Sequence, residues 1–161
     1  MEKKAICCFT GHREISSEHR KALSVLLDGI LNKLIARGFT EFRTGGALGF
    51  DTVVALKIIE KKKTNKNIRL HLFLPCKEQA DMWTVAARQI YLFTIENADE
   101  VTYISDKYTK GCMLQRNRSL VNGSALCIGY CMKPTGGTAY TLDYARAQNV
   151  HTVNIVSLLK N

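Results

Sequence analysis

Two hydrophobic periodicities alternate along the whole chain. Short runs that are apolar throughout, or at every second position, read as strands; longer runs with apolar residues three and four apart read as helices. The strand-like runs are "KAICCFT" (4–10), "FTEFRTG" (39–45), "IRLHLFLP" (68–75), "EVTYIS" (100–105), "SALCIGY" (124–130) and "VHTVNIV" (150–156). The helix-like runs between them are "SSEHRKALSVLLDGILNKLIARG" (16–38), "DTVVALKIIEKKK" (51–63), "EQADMWTVAARQIYLFTIENA" (78–98), "CMLQRNRSLV" (112–121) and "TAYTLDYARAQN" (138–149). In the first helix Leu23, Leu26, Leu27, Ile30, Leu31 and Leu34 form the apolar stripe. Ser16 or Ser17 is placed to cap its start, and Gly38 to end it in a left-handed residue. Pro75 is expected to stop the third strand, Trp83 marks a break in the third helix, and Asn122-Gly123 ends the fourth.

Strict strand-helix alternation predicts an α/β fold, with a mainly parallel central sheet of about six strands and helices on both faces. Right-handed crossovers then place every strand-to-helix turn on the carboxyl edge. Ligands bind open sheets of this kind at that edge, where the strand order reverses. The turns assigned to it are "FTGHR" (9–13), "TGGALGFD" (44–51), "PCKEQADMW" (75–83), "SDKYTKGCMLQRNR" (105–118) and "KPTGGT" (133–138). Glycines, hydroxyls, arginines, a histidine and an asparagine gather there. The opposite edge carries "ARGFTE", "TNKNI", "ENADE" and "AQNVH", ordinary surface turns.

Glycine turns that lead into a helix allow a ligand close to the backbone and aim free N–H groups at an anion. Both "TGGALG" and "PTGGT" have this form. Neither is a P-loop, because no Gly-Lys-[Ser/Thr] follows, and the spacing of Gly45, Gly46 and Gly49 is not that of a dinucleotide fingerprint. Asp51 reads as a helix cap, a ligand anchor, or both. Asn117, between Met113 and Leu120, shares their inward face and reads equally as a contact to a neighbouring turn or to a ligand; Arg116 and Arg118 flank it. His12 is an acid-base group or a phosphate donor. Tyr140 and Tyr144 read as a packed pair rather than a stacking platform, and Trp83 with Gln79 as a core anchor or a pocket overhang.

Bulk properties narrow the function classes. At 161 residues one domain is the simplest organisation. No apolar run reaches the ~18 residues of a membrane span, and "MEKKAICCFTGHR" lacks the features of a signal peptide, so a cytoplasmic location and no membrane partner are expected. The six cysteines show no C-x-x-C pair and read as buried thiols, with Cys7 and Cys8 on opposite faces; a zinc site from Cys112, Cys131 and His12 has no spacing signature, so no metal and no cofactor are assigned. The net charge of +9 favours polyanions, yet much of it lies in Lys57–Arg69, which reads more simply as a solvated helix end than as a nucleic-acid patch.

Taken together, "CCFTGHR", "TGGALGFDT", "RLHLFLPC", "GCMLQRNR" and "TGGTAYTLDYA" resemble the YpsA-like proteins of the SLOG superfamily over nearly the whole chain and in the same order. The domains of that superfamily are related to the DNA-processing protein DprA and to the LOG phosphoribohydrolases. The resemblance implies a Rossmann-like three-layer α/β/α sandwich and a pocket for a nucleotide or nucleotide-derived ligand, with a sensor role as the family-level proposal. The implied ligand-binding positions are Thr10, Gly11, His12 and Arg13; Thr44, Gly45, Gly46, Gly49 and Asp51; Arg116 and Asn117; and Gly136, Gly137 and Thr138. LOG hydrolases carry a catalytic glutamate where this chain has Thr141, which counts against hydrolysis by that route and leaves catalysis unassigned. A nucleotide-derived small molecule is the favoured partner; nucleic acid, in the manner of DprA, is less favoured, and self-association is left open.

Overall fold

A computed structural model describes residues 5–159. Strands and helices alternate as β1 (Ile6–Gly11), α1 (Arg20–Ala36), β2 (Glu41–Thr44), α2 (Phe50–Lys62), β3 (Arg69–Cys76), α3 (Val85–Glu96), β4 (Glu100–Ser105), α4 (Cys112–Val121), β5 (Leu126–Tyr130), α5 (Gly137–Ala147) and β6 (His151–Asn154), followed by a 3₁₀ turn at Ile155–Leu158. Lys4, the expected start of the first strand, lies outside the described residues. The strands form one sheet in the order β4-β3-β2-β1-β5-β6, and every pairing is parallel. The fold is the Rossmann-like α/β topology expected.

Layering follows from chain direction. From β1 to β4 the chain steps one way across the sheet, so right-handed crossovers place α1, α2 and α3 on one face. From β4 to β5 and on to β6 it steps the other way, which puts α4 and α5 on the opposite face. The core divides accordingly. One cluster gathers Leu23, Leu27 and Leu31 of α1, Val54 and Ile58 of α2, and the strand residues Cys7, Phe9, Phe42, Leu70, Leu72 and Leu74. The other holds Cys8, Phe73, Leu120, Cys127 and Leu142. Cys7 and Cys8 therefore face opposite layers, as strand alternation requires. Five of the six thiols are buried.

Three local expectations are corrected. Helix α1 begins at Arg20, and neither Ser16 nor Ser17 caps it. The hydroxyl of Tyr130 takes the Ser16 N–H (3.3 Å) and lies 2.7 Å from His19 Nδ1, so the segment before α1 is pinned as a turn. Strand β3 runs past Pro75 to Cys76. Its pairing with β2 ends at Leu72, and its pairing with β4 passes from Leu74 to Cys76, so the missing N–H falls where no ladder bond is needed. The segment before α3 is a series of turns, and α3 starts only after Thr84, whose side chain accepts the Ala87 N–H. Gly38 closes α1 with φ of 92°, as expected.

Candidate functional site

Strand order reverses between β1 and β5, and the loops that leave these two strands enclose a cavity of about 350 Å³. Its walls come from four segments that are remote in sequence: Thr10–Arg13 at the end of β1, Gly45, Ala47 and Asp51 at the start of α2, the face of α4 that carries Met113, Arg116 and Asn117, and Lys133 with Thr135–Thr138 before α5.

The first wall is fixed by glycines. Gly49 has φ of 76°, and a Cβ there would strike the Arg13 carbonyl and come within 2.7 Å of the His12 oxygen. Only glycine lets the β1–α1 loop lie directly on the β2–α2 turn. Phe50 N–H then donates to the His12 carbonyl at 3.1 Å. One free amide at the start of α2 is thus satisfied by protein, which leaves that helix less able to serve an anion.

On the side of β5, His12 N–H donates to the Tyr130 carbonyl (3.3 Å) and Met132 N–H donates to His12 Nε2 (2.7 Å). An Nε2 that accepts belongs to a neutral ring with its proton on Nδ1. Burial, and then the charge of Lys133, hold the His12 pKa below its ordinary value, in agreement with that geometry.

The floor is a buried pair of opposite charges. Asp51 and Arg116 are each 5% exposed. Arg116 donates through Nη1 to the Gly45 and Phe73 carbonyls, and through Nε to Asn117 Oδ1 at 2.7 Å. Asp51 Oδ2 accepts from Ala47 N–H at 3.2 Å, while Oδ1 has no partner among the described residues. Gly45 separates the two side chains: a Cβ at that position would stand 2.7 Å from Arg116 Nη1 and 2.9 Å from Asp51 Oδ2. Burial pushes the Asp51 carboxyl up to about 6, against the pull of Arg116 and of the Ala47 and Gly45 amides.

Asp51 is therefore not the residue that caps α2. The cap position is Gly49, and the carboxylate reaches back to Ala47 instead of forward along the helix. The inward residue of α4 is also reassigned. Cys112, Arg116 and Leu120, four apart, are the buried row, and Asn117 is half-buried beside it at the cavity wall. The guanidinium points inward because the carbonyls of Gly45 and Phe73 await it there.

The last wall is the start of α5. Its cap position is Gly136, and no side chain caps the helix among the described residues. Gly136, Gly137 and Thr138 line the cavity, and the first amides of a helix have no partner within it. Thr141 is fully buried and donates to the Gly137 carbonyl at 2.7 Å, so it offers the cavity no proton-transfer group.

Of the residues singled out beforehand, Thr44, Gly46 and Gly49 do not line the cavity. Thr44 is buried beneath it, Gly46 accepts from Gln79 Nε2, and Gly49 acts through the loop above. Trp83 packs edge-on against Tyr91, with ring centroids 5.1 Å apart, as a core anchor. Arg118 donates to the Tyr140 hydroxyl (2.9 Å), and Tyr140 stacks on Tyr144, so all three serve the α4–α5 contact. Sequence reasoning did not assign Ala47, Met113, Leu114, Leu120, Lys133 and Thr135 to the site. Lys133 was discoverable as the cation just before the last glycine turn.

The basic helix end is largely engaged. Lys61 pairs with Asp28 at 2.7 Å, Lys62 with Asp99 at 2.7 Å, and Lys63 with Glu60 at 3.3 Å. No three metal-binding side chains cluster among the described residues, and none of their helices is long and apolar enough to cross a membrane.

Comparison with known proteins agrees with this architecture. An uncharacterized SPbeta prophage-derived protein, YoqJ of Bacillus subtilis, is 27% identical over 117 residues, which are 65% of this chain and 68% of that protein. DNA processing protein A of Helicobacter pylori, whose structure was described for its single-stranded DNA binding mode, superposes with a TM-score of 0.67 at 16% identity over 93% of this chain. DprA of Streptococcus pneumoniae gives a TM-score of 0.65, also at 16% identity and over 93% of this chain. The match spans 64% and 50% of those two structures, so the likeness concerns the fold of one portion of each. The family model described as "YspA SLOG family" matches residues 7–159, and the chain belongs to this YpsA family of SLOG proteins.

Proposed function

We propose that this protein binds a nucleotide-derived small ligand, with a phosphate at the start of α5, and works as a binding or sensor protein. The observation that carries the reading is the meeting of a helix start that no side chain caps among the described residues with a built polar floor: Gly137 and Thr138 line the same cavity as the buried Asp51 and Arg116. A helix start attracts anions, and Arg13, Lys133 and Asn117 line the same space. The unpartnered Asp51 Oδ1 supplies an acceptor for a ligand hydroxyl or amine, which a bare anion lacks. A volume of about 350 Å³ is within the range of small-ligand sites.

A panel of nucleoside mono- and diphosphates, cyclic nucleotides and ADP-ribose in a thermal-shift assay tests this. A ligand at a hundred times its Kd stabilises by about 2.7 kcal/mol, a rise of roughly 5–10 °C for a domain of this size. No shift with any of them at millimolar concentration contradicts the proposal.

A second reading, hydrolysis of a nucleotide's N-glycosidic bond, is favoured by one observation. Asp51 is the carboxylate among the described cavity residues, and its pKa of about 6 suits acid-base work near neutrality. Release of free base from the same nucleotides, abolished in Asp51→Asn, is the result it requires. A DprA-like single-stranded DNA role is tested by adding an oligonucleotide to the panel.

A further inference from the structure

The three helices on one face of the sheet differ in what they show to solvent. Among the described residues, α1 exposes one large apolar side chain, Val25, and α2 one, Leu56, while α3 exposes Val85, Ile90, Leu92 and Phe93. Val85 is 64% exposed and Leu92 60%. The helix is anchored from its other side, where Tyr91 and Thr94 are buried and Ile95 packs on the main core cluster. Its outward residues fall into two rows with a spacing of four. One row is Val85, Gln89 and Phe93, the other Arg88, Leu92 and Glu96, and all six are exposed. Strand β4, which follows α3, is the edge of the sheet, so α3 is the outermost helix of its layer.

The charges on this face are set against their own helix. Arg88 closes the first turn of α3, and Glu96 is its last residue. A helix start favours negative charge and a helix end positive charge, so each stands at the wrong pole. Neither has an ion-pair partner among the described residues. Eight residues apart, they are separated by about 12 Å along the axis and do not meet each other. A twofold axis beside Leu92 removes both faults. It lays a second α3 antiparallel on the first, sets Leu92 against Leu92 and exchanges positions 88 and 96, so that each Arg88 meets the Glu96 of the other copy. Rows with a spacing of four are the ridges that interlock in the commonest helix-to-helix packing.

We propose that α3 is the contact face of a homodimer, in which two copies of this chain pack antiparallel through Leu92, flanked by Val85 and Phe93, with two reciprocal Arg88–Glu96 ion pairs. A second copy is the occupant because the charge pattern of this face is complementary to its own reversal. An anionic surface would be matched by Arg88 and repelled by Glu96. One helix face with its flanks is a small interface, so the dimer is weak and reversible. No residue of α3 lines the carboxyl-edge cavity, and the association is independent of the nucleotide reading.

Sedimentation equilibrium of the full chain at low ionic strength tests it. The wild-type mass is expected to climb from 18.1 kDa at low micromolar concentration toward twice that value at several hundred micromolar. Leu92→Asp is expected to stay at the monomer mass, and an unaltered thermal midpoint at low micromolar concentration shows that it is folded. Arg88→Glu and Glu96→Arg each set like charges against one another twice across the axis, and each alone is expected to weaken the dimer by about tenfold or more. Both substitutions suit the helix dipole, so the weakening is not a loss of helix. Mixed in equal amounts, the two single variants face each other with opposite charges at both contacts, and association is expected to return. A wild-type chain that remains at 18.1 kDa throughout overturns the dimer. A dimer that survives Leu92→Asp, or charge variants that do not recover on mixing, overturns this face and this axis.

Discussion

Asp51→Asn removes a carboxyl group that the fold holds in an environment hostile to its charge. The side chain is 5% exposed and one of its oxygens has no partner among the described residues. Its pKa is raised from 3.8 to about 6, chiefly by burial. A rise of roughly two units corresponds to about 3 kcal/mol of differential stability between the two protonation states. The sign follows from linkage. Between pH 4 and pH 6 the folded protein holds the Asp51 proton and the unfolded chain has released it, so stability falls as pH rises. The contribution is complete below the unfolded value near 3.9 and is lost once pH passes the folded value of about 6. Asparagine does not titrate. Urea unfolding of both proteins from pH 4 to pH 8 therefore isolates Asp51, because all other groups cancel in the difference. The variant is expected to gain about 3 kcal/mol relative to the wild type across that range. A flat difference refutes the reasoning. So does a difference of opposite slope, which would mean that Arg116 holds Asp51 as a stabilised anion.

Gly49→Ala places a Cβ against the Arg13 carbonyl at a residue with φ of 76° and should lower stability by about 3 kcal/mol or more, read from urea midpoints. Arg116→Met leaves the buried Gly45 and Phe73 carbonyls without their donor, a loss of about 1–3 kcal/mol for each group left unsatisfied. Combined with Asp51→Asn it should cost less than the sum of the two, in a double-mutant cycle of unfolding energies. Changing Lys61, Lys62, Lys63 and Lys66 together to glutamine should leave nucleotide binding unaltered by titration calorimetry. It should cost no more than about 1 kcal/mol per surface ion pair removed.

Much of this protein was legible from local pattern. The bounds expected for β4 and α4 coincide with those observed, because each is a clean run between turn residues. The gathering of the glycine turns at one edge followed from alternation and handedness alone. What escaped was set by partners far away in sequence. Tyr130 holds Ser16 from 114 residues away, so no inspection of "SSEHR" reveals why the helix starts late. Arg116 occupies the buried row of α4 although its charge marks it as a surface residue; the spacing to Cys112 and Leu120 was the only local clue. Asp51 could be placed at a helix start, but its backward bond to Ala47 depends on the path of the turn.

The central claim is that the start of α5 and the Asp51–Arg116 floor form one ligand site. Amide NMR of the ¹⁵N-labelled protein during titration with ADP measures it most directly. The expected result is saturable shift changes at Thr10–Arg13, Gly45–Ala47, Arg116–Asn117 and Gly136–Thr138, with the amides of Lys61–Lys66 unmoved. Shifts confined to the basic end of α2, or none at millimolar ADP, would contradict it.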